Sequence, residues 1–521
     1  MGTGRMIALL ASAAIGVAAC GGDVLVGAER SDQSRAATPP IVAPPPQPRT
    51  TTFPDAEQDP DQGPIDEDSS ATSLPPVTTS AEVDPTAIDF GSNKPERAYD
   101  EFLLAAMTDI EIWWAEQYPA IYRDEFVPLQ GEIYAAYPSR PDDIPGCGTP
   151  RTTYDEVKDF VAFYCGEGDF MVYDDGEGGL LAELAKTYGP GTIGTVLAHE
   201  YGHAIQFRSG ALDRSLPTIR TEQQADCFAG AWTGRAARGE ATTLQFTDAD
   251  VRAGLIAMTK VSDPVGIDQF VPGGHGSAFD RVGAFQVGFL EGPARCAELL
   301  DEPLPLVPNQ FTVGDLEQAR TGDAPFGFNE ENQLGTFLPE DLNLYWDNQL
   351  ETTIPDLDAL ALVVVQKPSD VECDDLRGDI DRGTALCTSS GEVYVNSPAT
   401  FELYEVLGDF SVGYLLGWAW SEAAQVALET DLKGETRELM NDCLTGAWVK
   451  TVVPIDFALP LPRHEDRSAT VSAGDLDEAI QTVLLVADLN SDDDIVGSAF
   501  EKIDSFRTGV LGGLDACISD L

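Results

Sequence analysis

Two histidines four residues apart, in the run His199-Glu200-Tyr201-Gly202-His203, project from one face of a helix and can grip a single metal ion together. Glu200 stands one residue past the first of them, turned off the ligand axis, where its carboxylate can take a proton from a water on that metal. A catalytic zinc takes three protein ligands and leaves its fourth position to water, so the pattern needs a third donor. Glu222, one loop downstream in Glu222-Gln223-Gln224-Ala225-Asp226, is the best placed, although other acids lie nearby. Asp226 follows one turn later on the same face and is positioned to accept the outer ring N–H of a ligating histidine. The chain has only four histidines in 521 residues, so this spacing rarely arises by chance on an ordinary solvated helix. The chemistry these residues fit is hydrolysis by water activated on one zinc ion per chain.

A helix must present these side chains, and the flanking residues predict one. Gly189-Pro190-Gly191 breaks the preceding segment, Thr192 is a candidate N-cap, and Ser209-Gly210 ends the run. Ile193, Val196, Leu197 and Ile205 supply helically spaced apolar positions between them. Hydrolysis of an acyl group also calls for a donor to the oxyanion of its tetrahedral intermediate. His275, in Gly273-Gly274-His275-Gly276-Ser277 ahead of another helix, is one candidate, and Tyr201 is the rival. On composition alone His275 reads as a plain loop residue and Tyr201 as packing.

Taken together, HEYGHAIQ, EQQADCFAGAW and HGSAFDRVGAFQVGFLEG followed by Cys296 resemble the bacterial neutral zinc metallopeptidases related to the gluzincins. The resemblance covers residues 99–300. It implies a zincin fold with His199, His203 and Glu222 as zinc ligands, Glu200 as general base, and a peptide or protein as substrate. It also implies that Phe170-Met171-Val172-Tyr173-Asp174 is the sheet edge on which an extended peptide pairs.

The C-terminal part repeats the N-terminal part in order. Asp109-Ile110-Glu111-Ile112-Trp113-Trp114 matches Asp341-Leu342-Asn343-Leu344-Tyr345-Trp346, and Asp226-Cys227-Phe228-Ala229-Gly230-Ala231-Trp232 matches Asp442-Cys443-Leu444-Thr445-Gly446-Ala447-Trp448. Gly276-Ser277-Ala278-Phe279 returns as Gly497-Ser498-Ala499-Phe500. On these anchors Trp418, Ala419 and Glu422 stand opposite His199, Glu200 and His203, and Val496 stands opposite His275. A tryptophan cannot ligate zinc and an alanine cannot act as base, so the second copy is degenerate. Loss of His275 together with the ligands fits a catalytic role for it. Glu438 and Asp442 survive opposite Glu222 and Asp226, which leaves those two a packing role as well. The expected fold class is α+β, mainly helical, with a zincin-like lobe and its small sheet at 94–300. A linker at 301–333 then leads to a homologous lobe at 334–521.

Nine cysteines divide into Cys20 and four in each half. Cys147, Cys165, Cys227 and Cys296 correspond in order to Cys373, Cys387, Cys443 and Cys517. The simplest connectivity joins Cys147 to Cys165, Cys227 to Cys296, Cys373 to Cys387 and Cys443 to Cys517. Cys227 beside Asp226 could read as a soft metal ligand, but Cys443 persists where no site remains. Four disulfides imply an oxidising compartment outside the cytoplasm.

Residues 1–19 agree, with Arg5, an apolar run from Ile7 and small residues before Cys20 reading as a secretion signal. Val17-Ala18-Ala19-Cys20 resembles a bacterial lipobox, which implies a lipid on Cys20 and a protein anchored in the cell envelope on the extracytoplasmic face. An ordinary signal cleavage in the same region is the alternative. Residues 20–93 are rich in Pro, Ser, Thr and acids and read as a disordered tether. No later stretch is long and apolar enough to span a bilayer, so the lipid is the one membrane contact expected. A net charge of -57 excludes nucleic acid as a partner. The acidic runs Asp174-Asp175 and Ser491-Asp492-Asp493-Asp494 lack EF-hand spacing and read as solvated surface before calcium sites. The function expected is a lipid-anchored zinc endopeptidase. The alternative is a non-catalytic envelope binding or scaffold protein with a structural zinc site.

Overall fold

A computed structural model describes residues 81–140, 143–307, 323–353, 359–453, 469, 474–489 and 499–518. The signal segment with Cys20, the tether up to residue 80, the middle of the linker, the run Ser491-Asp492-Asp493-Asp494 and Val496 lie outside the described residues. The fold is α+β and mainly helical, as its sequence predicts.

The first half runs α1 (Asp100–Tyr122), β1 (Ile133–Ala136), α2 (Tyr154–Val157), β2 (Ala162–Cys165), β3 (Phe170–Asp174), α3 (Leu180–Tyr188) and α4 (Gly191–Ser209). It continues through α5 (Thr218–Ala237), α6 (Asp248–Lys260), α7 (Ala278–Glu291) and α8 (Pro293–Glu298). The second half opens with α9 (Leu334–Thr353), β4 (Ala361–Val365), β5 (Leu376–Asp379), β6 (Thr384–Cys387) and β7 (Glu392–Asn396). Helices α10 (Ser397–Leu407), α11 (Asp409–Ala427), α12 (Glu435–Val452), α13 (Asp475–Leu489), α14 (Ala499–Gly512) and α15 (Leu514–Ile518) complete it.

The first sheet has the order β1-β3-β2, with β3 parallel to β1 and antiparallel to β2. Phe170–Asp174 is therefore the central strand and not the edge the resemblance implies. Its backbone groups are spent on two neighbours, and it has none left for a peptide. All five of its residues are buried, as suits a strand with partners on both sides. Strand β2 is the edge that packs against α4, with Tyr164 and Phe207 rings 6.1 Å apart. The second sheet has the order β4-β7-β6-β5 and carries one more strand, β5, on the outer side of β6.

The same close contacts occur in both halves. Trp232 Nε1 donates to Asp109 at 3.0 Å and Trp448 Nε1 to Asp341 at 2.9 Å. Gly230 lies against the Phe285 carbonyl and Gly288 against that of Cys227, while Gly446 lies against the Phe506 carbonyl and Gly509 against that of Cys443. Any Cβ at these glycines would collide with backbone, so they let α5 cross α7, and α12 cross α14, at close range. Buried residues from both halves form one continuous core.

Four disulfides join the pairs expected: Cys147 with Cys165, Cys227 with Cys296, Cys373 with Cys387 and Cys443 with Cys517. Residues 81–93, placed in the tether by composition, pack on the first half. Ile88 is buried, and Asp89 pairs with Tyr134 at the β1 edge. No helix among the described residues is long and apolar enough to cross a membrane.

Candidate metal centre

Helix α4 begins at Gly191, with Pro190 in the capping position. Thr192 is already inside the helix, where its Oγ1 donates to the Gly189 carbonyl, so it is not the cap its residue type suggested. Gly210, at φ 73°, takes the left-handed turn that ends the helix. Most of α4 and α5 is buried, so the polar residues they carry inward must be satisfied within the protein.

His199 and His203 from α4 meet Glu222 from α5. The two Nε2 atoms are 3.1 Å apart, with the rings nearly perpendicular at 88°. Glu222 Oε2 lies 3.3 Å from His199 Nε2, and Oε1 lies 3.4 Å from His203 Nε2. The outer nitrogens fix the tautomers. His199 Nδ1 is 2.7 Å from Asp226 Oδ1, which can only accept. Gln206 donates from Nε2 to the Thr221 carbonyl at 2.6 Å, so its Oε1 is the atom facing His203 Nδ1 at 2.9 Å. Each ring thus commits one proton to Nδ1 and turns its Nε2 inward. The approach of Glu222 Oε2 to His199 lacks the direction of a hydrogen bond, which leaves that buried oxygen without a partner. Two imidazole Nε2 atoms and a buried carboxylate converge, an arrangement that fits a divalent cation.

Electrostatics point the same way. Burial opposes charge on His199, but Asp226 and Glu222 outweigh it and push its pKa up to about 10. Burial would raise Glu222, yet His203 and His275 hold it well below the usual carboxylate range. The pocket thus draws in positive charge, and a cation entering it would displace the histidine proton. Glu200 is buried and lies close enough to His203 to favour protonation of that ring.

His275 also reaches the site. Its Nε2 lies 4.0 Å from Glu222 Oε2, and its Nδ1 lies 3.3 Å from Asp263 Oδ1. Asp263 Oδ2 accepts the backbone N–H groups of His275 and Gly276 at 2.7 and 2.8 Å, so one carboxylate sets both the loop and the ring. Tyr201 instead faces Glu111, Tyr164 and Arg208 on the far side of α4, and its buried hydroxyl has no hydrogen-bond partner among the described residues.

Three further residues complete the surroundings: Gln206, Asp263 and Arg281. Arg281 from α7 donates from Nε and Nη2 to the two oxygens of Asp226 at 3.1 and 2.7 Å, and from Nη1 to the Val261 carbonyl. Gln206 could have been found as the residue one turn past His203. Asp263 lies in a loop with no local signal. Arg281 lies within the third motif, and the repeat marks it as well, since Lys502 stands in its place and pairs with Asp442 at 2.7 Å.

The corresponding place in the second half is closed by the chain's own cation. Arg437 grips Glu422 from Nε and Nη2 at 2.8 and 2.6 Å, and Asn441 donates to the other Glu422 oxygen. Tyr414 donates to Asp442. Strand β5 runs across this region, with Arg377 Nε 3.8 Å from Glu422 and Gly378 packed on the Trp418 ring.

No protein-family profile and no solved structure matches the chain. It is 33% identical over 212 residues to an uncharacterized protein of Mycobacterium bovis and, equally, to uncharacterized proteins from two strains of Mycobacterium tuberculosis. The match takes in 36% of this chain and 67% of each relative. At that identity over so much of the relatives' length, this chain belongs to the same family as these mycobacterial proteins.

Proposed function

We propose that the protein is a zinc-dependent endopeptidase, lipid-anchored on the extracytoplasmic face of the cell envelope, with its catalytic residues in the first half. The observation that carries this reading is the convergence of two histidine Nε2 atoms on the Glu222 carboxylate, with Glu200 buried on the same helix turn. His199, His203 and Glu222 would hold the ion. Bound there, zinc would polarise the scissile carbonyl and acidify the attacking water.

The remaining steps belong to side chains. Glu200 accepts the proton of the attacking water on its carboxylate and passes it to the leaving amine nitrogen. His275, held at Nδ1 by Asp263, can donate from Nε2 to the oxyanion when it carries a second proton. Asp226, with Arg281 behind it, keeps His199 in the ligating tautomer.

The substrate is an extended peptide, and its docking edge is β2. That strand packs on the helix that carries both histidines. In the second half β6, which shares the disulfide position of β2, receives β5 on the matching edge, across the counterparts of His199 and His203. The contacts repeated between the halves support descent from one duplicated zincin-like unit whose second copy lost its metal.

The test uses the soluble region beginning after residue 20. Wild type should bind one zinc per chain and cleave reduced, denatured casein. Glu200→Gln should keep the zinc and lose roughly 10³-fold in kcat. A Glu200→Gln variant with wild-type turnover would sink the mechanism. Zinc binding without any cleavage by wild type would favour the scaffold alternative.

A further inference from the structure

We propose that the second half positions the catalytic residues of the first half, through Asp477 and Arg507, which hold the N-terminal turn of α7. This assignment rests on the peptidase reading, and it gives the half without the histidine pair a task other than a second round of chemistry.

Helix α7 lies between the site and the second half. The chain enters it from His275 through Gly276 and Ser277, and one turn in stands Arg281, which grips Asp226 behind His199. A shift of this turn therefore moves the candidate oxyanion donor and the residue that orients a ligand at the same time. The first half supplies Ser277 Oγ, which accepts from the Asp280 N–H at 3.2 Å. A further cap comes from far along the chain. Asp477, on the first turn of α13, accepts the Phe279 N–H on its Oδ1 at 2.9 Å, and both residues are buried. A carboxylate at a helix N-terminus satisfies an otherwise unpaired N–H and complements the helix dipole.

Arg507 of α14 holds the same turn from beside it. Its guanidinium lies over the Phe279 ring at 4.2 Å from the centroid, and it donates to the Phe279 carbonyl. Position 283 must be glycine for this to happen, because any Cβ there would run into the guanidinium. Phe279 is thus held at its N–H, its carbonyl and its ring, each time by the second half. Farther along, Gln286 donates to the Phe500 carbonyl at 3.0 Å, and the Phe289 and Phe500 rings pack 4.4 Å apart. The opposite face of α7 carries Arg281 toward the site. The ligands themselves sit on α4 and α5, whereas the hydrogen bonds and ring contact of Asp477 and Arg507 described above go to α7. Loosening α7 should therefore disturb turnover more than metal binding.

The experiment uses the full soluble chain with Asp477→Ala, Arg507→Met and Asp477→Asn. The asparagine can still accept from the Phe279 N–H and serves as the conservative variant. Zinc per chain, kcat and KM on denatured casein, and hydrogen exchange across residues 275–283 are measured for each. Asp477→Ala and Arg507→Met should keep zinc and lose about 10- to 100-fold in kcat with little change in KM. Exchange in that segment should be faster in both, and Asp477→Asn should stay close to wild type in every measurement. Wild-type kcat and exchange in Asp477→Ala would overturn the inference. So would an Asp477→Asn variant as impaired as the alanine, or loss of zinc in step with kcat. A wild type that neither binds zinc nor cleaves casein would instead overturn the peptidase reading beneath it.

Discussion

Asp226 stands 2.7 Å from His199 Nδ1 while both of its oxygens are held by Arg281. The pair is buried, and the guanidinium stabilises the carboxylate as an anion. Asp226 therefore orients the ring and is a poor acceptor of a transferred proton. Asp226→Asn should weaken zinc binding by about 10- to 100-fold, measured by competition with a chromophoric chelator. Arg281→Met should act differently, leaving a buried carboxylate without its cation and lowering stability by about 3–5 kcal/mol in denaturant titration.

His275 and Tyr201 part company in the structure, one turned into the site and the other away from it. His275→Ala should cost roughly 10²–10³-fold in kcat with zinc content intact, read in steady-state assays beside metal analysis. Tyr201→Phe removes a buried hydroxyl that has no hydrogen-bond partner among the described residues. It should leave kcat unchanged and leave stability equal or slightly higher in thermal melts.

Where the halves meet, burial pushes Asp477 up to about 6 and Asp280 up to about 7, and in the second half burial pushes Glu438 up to about 7. The folded chain keeps protons on these groups that the unfolded chain has already released. Their contribution to stability is thus present below the ordinary carboxylate pKa and is lost as pH rises through about 6 to 7. The melting temperature of the chelated protein should fall between pH 5 and 7.5, by several degrees. Asp477→Asn, which keeps the cap without the titration, should show a shallower fall. An identical slope in that variant would assign the effect to other groups.

The convergence of His199, His203 and Glu222 was legible because helical geometry translates spacing into a shared face: the histidines needed only α4, and Glu222 only a neighbouring helix. The disulfides were legible because the repeat sorted eight cysteines into two matching sets. The place of β3 was not, since strand order is decided by long-range pairing, and a short apolar run reads alike at the centre and at the edge. Thr192 looked like a cap by residue type, but the helix starts one residue earlier, at Gly191. Asp263 and Arg281 come to the site from chain far from the motif, and their roles exist only once α7 is packed. Ala81 to Asn93 had the composition of the tether, yet Ile88 finds a pocket and Asp89 finds a strand.

Because Leu376–Asp379 is stitched onto β6, that edge of the second sheet already has a partner strand from its own chain, which competes at an effective concentration set by the covalent link. The molecule has two similar halves but would be univalent toward extended chains. One molecule could not pair with a long polymer at both the β2 and β6 edges, so no avidity would slow its departure and no two polymers would be bridged by it. A protein built this way would work through single, reversible engagements.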